Sequence, residues 1–218
     1  MFERECLSSQ KLLGYIRQLS HSFGGVRSPF EANGMRALFR ERNFKECIRL
    51  IKLAFNLPMT LRIGYLKEKM MARNILHGNE ITYCPDFFCP NIPAGELLRG
   101  SHCEPAREPA FTRIPGSMPL LGNRFFENIT VTTYLRRWIL EAPFETFAFA
   151  VGHQMAHIVL FASNDRLRFS EIATDLLVMI SGFSEIARIG RKTPNERLGY
   201  LNDYQFCEVY REIIRLGR

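Results

Sequence analysis

The sequence predicts an α+β fold, in which a small sheet precedes a helical half and a helical extension lies at the N-terminus. Apolar residues recur at helical spacing near both ends of the chain, whereas apolar and polar residues alternate in short central segments. The composition is that of an ordinary globular protein, with 46% hydrophobic and 23% charged residues in a chain of 218. This length allows one domain with a sizeable core.

The N-terminal quarter of the chain is predicted to be helical. Apolar residues at helical spacing predict helices over 4–22 and 35–55, and the glycines and proline of 23–29 separate them. We expect residues 1–57 to form a helical region packed on the core, and residues 58–218 to form the main domain.

The central part of the chain contains the predicted sheet. Strands are expected over 59–65, 79–84 and 128–133, and short helices over 67–76 and 134–140. Residues 85–124 contain seven of the eleven prolines, so we expect a long irregular loop there. Three further helices are predicted downstream, over 144–162, 166–187 and 203–216.

Charge and targeting signals indicate a cytoplasmic protein without a membrane segment. No apolar run reaches the roughly 18–20 residues that a membrane helix needs, and the N-terminus lacks the order of a signal peptide. The six cysteines are then expected to be reduced thiols. A net charge of +7 is compatible with nucleic acid as a partner or trigger, although dispersed basic residues are also typical of a solvated surface.

The predicted helix over 144–162 carries two histidines, His153 and His157, one helical turn apart. Side chains at i and i+4 share a face, so two imidazoles can reach one tetrahedral zinc ion. The residues around them are apolar and would bury the helix. A buried histidine pair with a structural role is the alternative interpretation.

Two carboxylates follow on the next predicted helix, Glu171 and Asp175. The turn-forming residues 163–165 allow the chain to reverse, so that Glu171 can return to the same metal as a third ligand. Asp175 lies one turn later on the same face. It can accept the distal N–H of a liganding histidine and so fix the tautomer of that ring.

This arrangement resembles the gluzincins, zinc peptidases that combine HExxH on one helix with ExxxD on a following helix. The resemblance implies that His153, His157 and Glu171 bind Zn²⁺, with Asp175 behind them, in a compact zincin-like domain. Over residues 126–187 the order of elements also resembles the ImmA/IrrE-type regulatory metallopeptidases. These enzymes perform limited proteolysis of a protein partner, typically a transcriptional repressor in stress or defence. CapP-like relatives act in response to single-stranded DNA.

The sequence departs from the family pattern at Gln154, which occupies the position of the catalytic glutamate. In the family this glutamate is the general base, and a neutral amide cannot take a proton. We therefore expect this chain to retain zinc and to lack peptidase activity. The intact ligand set favours an inactivated form of a working enzyme. A non-catalytic zinc-binding pseudoprotease, acting as a sensor or binding module for protein or nucleic acid, is the alternative.

Further candidate residues lie outside this motif. Tyr200 and, as a second choice, Tyr204 are candidates to stabilise the oxyanion of a peptidase reaction. A thiolate from the predicted loop could occupy the fourth position on zinc and keep the enzyme latent. The candidates for this cysteine switch are Cys103, Cys89 and Cys84. Strand 128–133 could also pair with an extended substrate peptide, or simply with its neighbours in the sheet.

Overall fold

A computed structural model describes residues 7–66, 80–83, 109–115, 118–193 and 197–217. The chain is mixed α+β, as predicted, and forms two compact units. The helical unit comprises Met1–Leu57 and Ala142–Arg218, and the sheet unit comprises Pro58–Glu141. The division predicted from the sequence, residues 1–57 and 58–218, instead places the downstream helices with the sheet. The structure groups them with the N-terminal helices because they pack directly on one another.

Three helices begin the helical unit: α1 Ser9–Ser22, α2 Asn33–Arg40 and α3 Phe44–Ala54. The prediction of one continuous helix over 35–55 is wrong. Arg42 adopts a positive φ of 58°, which a helix cannot contain, and Asn43 then caps α3 by accepting a hydrogen bond from the Glu46 N–H. The apolar periodicity gives no sign of this break because each helix has buried apolar residues, Met35 in α2 and Cys47, Ile48 and Ile51 in α3.

The second half of the helical unit contains α4 Phe144–Ala162, α5 Glu171–Val178, α6 Ser184–Gly190 and α7 Asp203–Leu216. The predicted bounds of α4 and α7 are confirmed. The single helix predicted over 166–187 is wrong at its start and in its middle. Ser170 caps α5 through the N–H of Ala173, and a wide π-type turn, Met179–Phe183, separates α5 from α6. Gly182 has a φ of 95° within this turn.

Helix α4 is the centre of the helical unit, since nearly all of its residues are buried. Phe39 of α2 packs against Phe144 and Phe147, with ring centroids 5.8 and 5.0 Å away. Arg36 of α2 forms an ion pair of 2.9 Å with Glu145. The N-terminal helices therefore pack on the helix that carries the two candidate histidines.

The sheet unit contains four described strands: β1 Thr60–Leu66, β2 Glu80–Tyr83, β3 Ala110–Pro115 and β4 Thr130–Arg136. Their order is β1-β4-β3-β2, with β1 parallel to β4 and the other pairs antiparallel. Thr112 and Thr133 lie opposite each other, and their buried hydroxyls are 2.8 Å apart. Because β4 is paired on both sides, the hypothesis that it adds a substrate peptide at its edge is wrong.

Three predictions for this unit need correction or lie outside the described residues. Strand β3 lies within 85–124, which was expected to be irregular. The pattern does not predict it because Pro109 directly precedes the strand and Pro115 ends it. The helix predicted over 134–140 is wrong at its start, because β4 continues to Arg136 and only a short 3₁₀ turn, Arg137–Leu140, follows. The helix expected over 67–76 lies outside the described residues.

None of the helices that the structure describes is both long enough and apolar enough to span a bilayer.

Candidate metal centre

Helix α4 places His153 and His157 one above the other in an almost fully buried environment. Their exposed fractions are 8% and 1%, and their ring centroids are 4.7 Å apart. The two Nε2 atoms face each other at 3.0 Å. The i, i+4 spacing therefore brings the two rings to one point, as the sequence predicts.

Glu171 reaches this point from the first turn of α5. Its Oε2 lies 3.0 Å from Nε2 of His153 and 3.3 Å from Nε2 of His157. These three atoms form a compact triangle that can hold a metal ion. In a tetrahedral zinc site, ligands about 2.0–2.2 Å from the ion are themselves about 3.3 Å apart, which is close to the observed spacing.

The opposite nitrogen of each ring contacts an acceptor. Nδ1 of His153 lies 2.9 Å from Oδ1 of Asp175, and Nδ1 of His157 lies 3.4 Å from the hydroxyl of Thr174. That hydroxyl donates to the carbonyl of Ser170, so its lone pair faces the ring. We therefore assign the proton of each neutral ring to Nδ1, which leaves both Nε2 lone pairs facing Glu171.

Three acceptor atoms consequently converge on one point, and a cation is needed to stabilise them. A proton can be shared by only two of these three atoms and leaves the third with its lone pair facing another acceptor. A metal ion can contact all three atoms at once. The second oxygen of Glu171, Oε1, is also buried and has no hydrogen-bond partner among the described residues. A buried carboxylate oxygen without a donor is costly, and a nearby cation offsets that cost. The residues present therefore fit a metal ion.

The electrostatics of the three groups follow from the same contacts. Burial disfavours charge on His153, but its hydrogen bonds to Asp175 and Glu171 prevail and raise its pKa to about 10. A metal ion that binds Nε2 of His153 therefore displaces a proton from the ring and leaves it in the neutral form described above. Burial lowers the pKa of His157. Burial of Glu171 is outweighed by the two histidines, which lower the pKa of its carboxyl group. Glu171 thus remains an anion, the form in which a carboxylate binds metal.

The connection between α6 and α7 supplies a third side of the centre. The backbone N–H of Tyr200 donates to Oδ2 of Asp175 over 2.6 Å, and the Tyr200 ring stacks on His153 at 6.0 Å. Tyr204, the second tyrosine candidate, has an exposed side chain, with 74% of its surface accessible. Of the two, Tyr200 is the one that lies beside the histidines.

Two residues of the centre were missed by sequence reasoning. Thr174 contacts His157, and the only signal for it is its place one residue before Asp175 and three residues after Glu171. Gly199 lies against Asp175, and the only feature of the sequence that points to it is that it directly precedes the candidate Tyr200.

Gln154 is buried on α4, with 5% exposed. Cys84, Cys89 and Cys103 lie outside the described residues, so the cysteine switch stays a prediction.

Known proteins were compared with this chain at the levels of family, sequence and fold. The chain gave no significant match to any protein-family profile, to any curated protein or to any solved structure.

Proposed function

We propose that this chain is a zinc-binding protein with a gluzincin-type centre, derived from a metallopeptidase and inactivated at Gln154. The observation that carries the proposal is the convergence of three acceptor atoms from His153, His157 and Glu171 within 3.0–3.3 Å. The ligand set and its order along the chain are those of the HExxH…ExxxD peptidases. Zinc is the metal that two imidazoles and a carboxylate favour in such a site.

Each residue has a separate role in this proposal. His153, His157 and Glu171 hold the metal, while Asp175 and Thr174 hold the two rings in the liganding tautomer. Lewis acidity, which lowers the pKa of bound water and polarises a carbonyl, is the chemistry that a zinc ion held by these residues would supply. A glutamate at position 154 would then take up and return a proton. The amide of Gln154 donates and accepts hydrogen bonds but has no accessible protonation step, so hydrolysis stops there.

The proposed substrate of the glutamate form is a protein partner that is cut at a small number of sites in the cytoplasm. This part rests on the resemblance to the ImmA/IrrE-type peptidases, whose substrates are typically repressors. The net charge of +7 supports nucleic acid as a trigger.

Metal content tests the centre itself. We expect about one zinc per chain by elemental analysis, and a large loss in the Glu171→Gln variant, because an amide carries no charge to offset the cation. Glu145→Gln is the matched control, since Glu145 lies on α4 in an ion pair with Arg36. X-ray absorption at the zinc edge should show an N/O shell. A sulfur neighbour would instead support the cysteine switch. Purified chain that takes up no zinc would contradict the proposal.

Reversion of the glutamine tests the catalytic part. The Gln154→Glu variant should cleave a protein substrate that the parent chain leaves intact, with mass spectrometry to locate the cut. The double variant Gln154→Glu with Glu171→Gln should be inactive, which separates this activity from contaminating peptidases. A revertant that binds zinc and cleaves no peptide bond in a broad peptide library would contradict a peptidase ancestry of this site.

A second candidate function is a non-catalytic zinc-binding module that binds a partner through the same centre. The observation in its favour is Gln154 itself, which is accommodated in a buried position beside His153. The inert, zinc-loaded revertant described above is the result that favours this function. In that case the metal should support partner binding, and chelation should weaken it.

A further inference from the structure

The turn 198–201, between α6 and α7, contacts the metal centre at the carboxylate of Asp175 and at the ring of His153. Asp175 uses Oδ1 for Nδ1 of His153 and Oδ2 for the backbone N–H of Tyr200. The position of one turn in the chain is therefore linked to the orientation of one ligand ring. The Tyr200 ring stacks on the same histidine, with 25° between the two planes.

Gly199 allows this turn to approach so closely. Its φ is +80°, in the left-handed region, and a Cβ atom there would lie 2.8 Å from Oδ2 of Asp175 and 3.2 Å from Cζ of Phe149. Any side chain at position 199 would have to displace the carboxylate or the turn. The glycine is thus required both by the backbone conformation and by the contact with Asp175.

Arg191 holds the turn from the other side. It is only 2% exposed and donates to the carbonyl of Leu201. It also forms an ion pair of 3.3 Å with Asp203 and lies 4.3 Å from the ring centroid of Phe206. A buried guanidinium with these partners is a rigid support, because releasing it would leave a buried charge unpaired.

We propose that the turn 198–201 is a positioning element of the metal centre, which fixes Asp175 and thereby the Nδ1–H tautomer and ring orientation of His153. Tyr200 is a positioning residue in this sense: its N–H orients the carboxylate and its ring limits the rotation of His153. The inference rests on the proposed metal binding. It adds that affinity for the metal depends on a segment outside the ligand helices.

Two glycine variants test the proposal. Gly199→Ala should lower zinc affinity about 10- to 100-fold, the range for lost outer partners of metal ligands, in a titration against a fluorescent chelator. Gly24→Ala is the matched control, since Gly24 has a φ of +81° and nothing within 4 Å of its would-be Cβ. Both variants carry the same backbone strain, and only Gly199→Ala adds the clash with Asp175, so Gly24→Ala shows how much of any change comes from strain alone. Equal zinc affinity in the two variants would overturn the proposal.

Two tyrosine variants keep the test decisive should Gly199→Ala fail to fold. Tyr200→Ala removes the stacked ring and should weaken zinc binding, whereas Tyr200→Phe keeps the ring and should restore it. The Co²⁺-loaded chain gives a spectroscopic readout, since a shift of the d–d bands in Tyr200→Ala, absent in Tyr200→Phe, reports on ligand geometry. Unchanged affinity and bands in Tyr200→Ala would overturn the role of the ring.

The backbone contact has its own reporter. The amide proton of Tyr200 should exchange slowly with solvent in the zinc-loaded chain and quickly in Asp175→Ala, as measured by NMR. Fast exchange in the zinc-loaded parent would contradict the contact. A parent chain without zinc affinity would refute the proposed function as well. A parent that binds zinc, with variants that bind it equally, refutes only the positioning role.

Discussion

At the level of single residues, His153 lies between Asp175 and Glu171, and His157 lies between Thr174 and Glu171. Each ring has a proton-bearing nitrogen directed outward and a lone pair directed inward. In this form the two buried histidines have the orientation that metal ligands need, and Asp175 and Thr174 set that orientation.

The contact of Thr174 leads to a first prediction. Thr174→Val keeps the shape of the side chain and removes the acceptor that the hydroxyl offers to His157, so zinc affinity should fall about tenfold. Competition titration measures the change. Thr112→Val is the matched control, because it removes a buried hydroxyl that pairs with Thr133 in the sheet unit. The control should lose stability and keep its zinc affinity. Equal zinc affinity in both variants would contradict the prediction.

A second residue-level prediction concerns Cys47, whose thiol is buried and contacts the carbonyl of Met35. Burial raises the pKa of this thiol to about 11. In the unfolded chain a thiol ionises near pH 8.5. The contribution of the buried, protonated thiol to the free energy of unfolding is therefore fully present below about pH 8.5, and it is lost as the pH rises toward the pKa of the folded state. Urea denaturation of the parent and of Cys47→Ala should converge with rising pH. Parallel profiles would contradict this expectation.

At the level of elements, the centre depends on how closely the helices around α4 approach it. Gly190, the last residue of α6, would place a Cβ atom 2.1 Å from the carbonyl oxygen of Glu145. Glu145 lies in the first turn of α4, so α6 touches the backbone of the ligand helix directly. Any side chain at this position would separate the two helices.

This close approach predicts the effect of one substitution on stability. Gly190→Ala should lower the free energy of unfolding by at least about 2 kcal/mol, because a helix must move to admit the methyl group. Gly14→Ala in α1 is the control, since nothing lies within 4 Å of its would-be Cβ and alanine favours helix by up to about 1 kcal/mol. Urea denaturation measures both. A Gly190→Ala variant as stable as Gly14→Ala would show that the two helices do not need this contact.

At the level of the whole molecule, all three ligands belong to the helical unit, although Glu171 follows the second histidine by fourteen positions. A metal ion bound by these three residues would join α4 to α5 and stabilise the folded state by mass action. Zinc at one hundred times its dissociation constant would contribute about 2.7 kcal/mol.

Hydrogen exchange with mass spectrometry locates this stabilisation. Zinc should slow amide exchange in peptides from α4 and α5, and peptides from β1 and β4 serve as an internal reference because they supply no ligand. The Glu171→Gln variant should show little change on addition of zinc. Slower exchange spread evenly over the chain, or equal slowing in the variant, would indicate binding elsewhere.

The elements that the sequence predicts correctly share one property, a continuous local pattern. Helix α4 is apolar along its whole length and α7 has unbroken apolar periodicity, and the predicted bounds of both agree with the structure. The failures occur where a single residue interrupts such a pattern. Arg42 ends α2 in a left-handed conformation, and Gly182 makes the turn between α5 and α6, although the apolar spacing continues across both. Apolar periodicity indicates which side of a helix is buried, but it does not show where the chain changes direction between two helices.

The sequence by itself determined the candidate triad, because the spacing of His153 and His157 on a helix is local geometry and the order of the motif indicates Glu171. Only the tertiary structure decided the rest of the centre. Thr174, Gly199 and the backbone of Tyr200 act through contacts between segments that no periodic pattern records. The physical reason is that a ligand is selected by its side-chain chemistry, which the sequence displays. A positioning contact is selected by shape and by backbone groups that every residue carries, so it becomes visible only once the chain is folded.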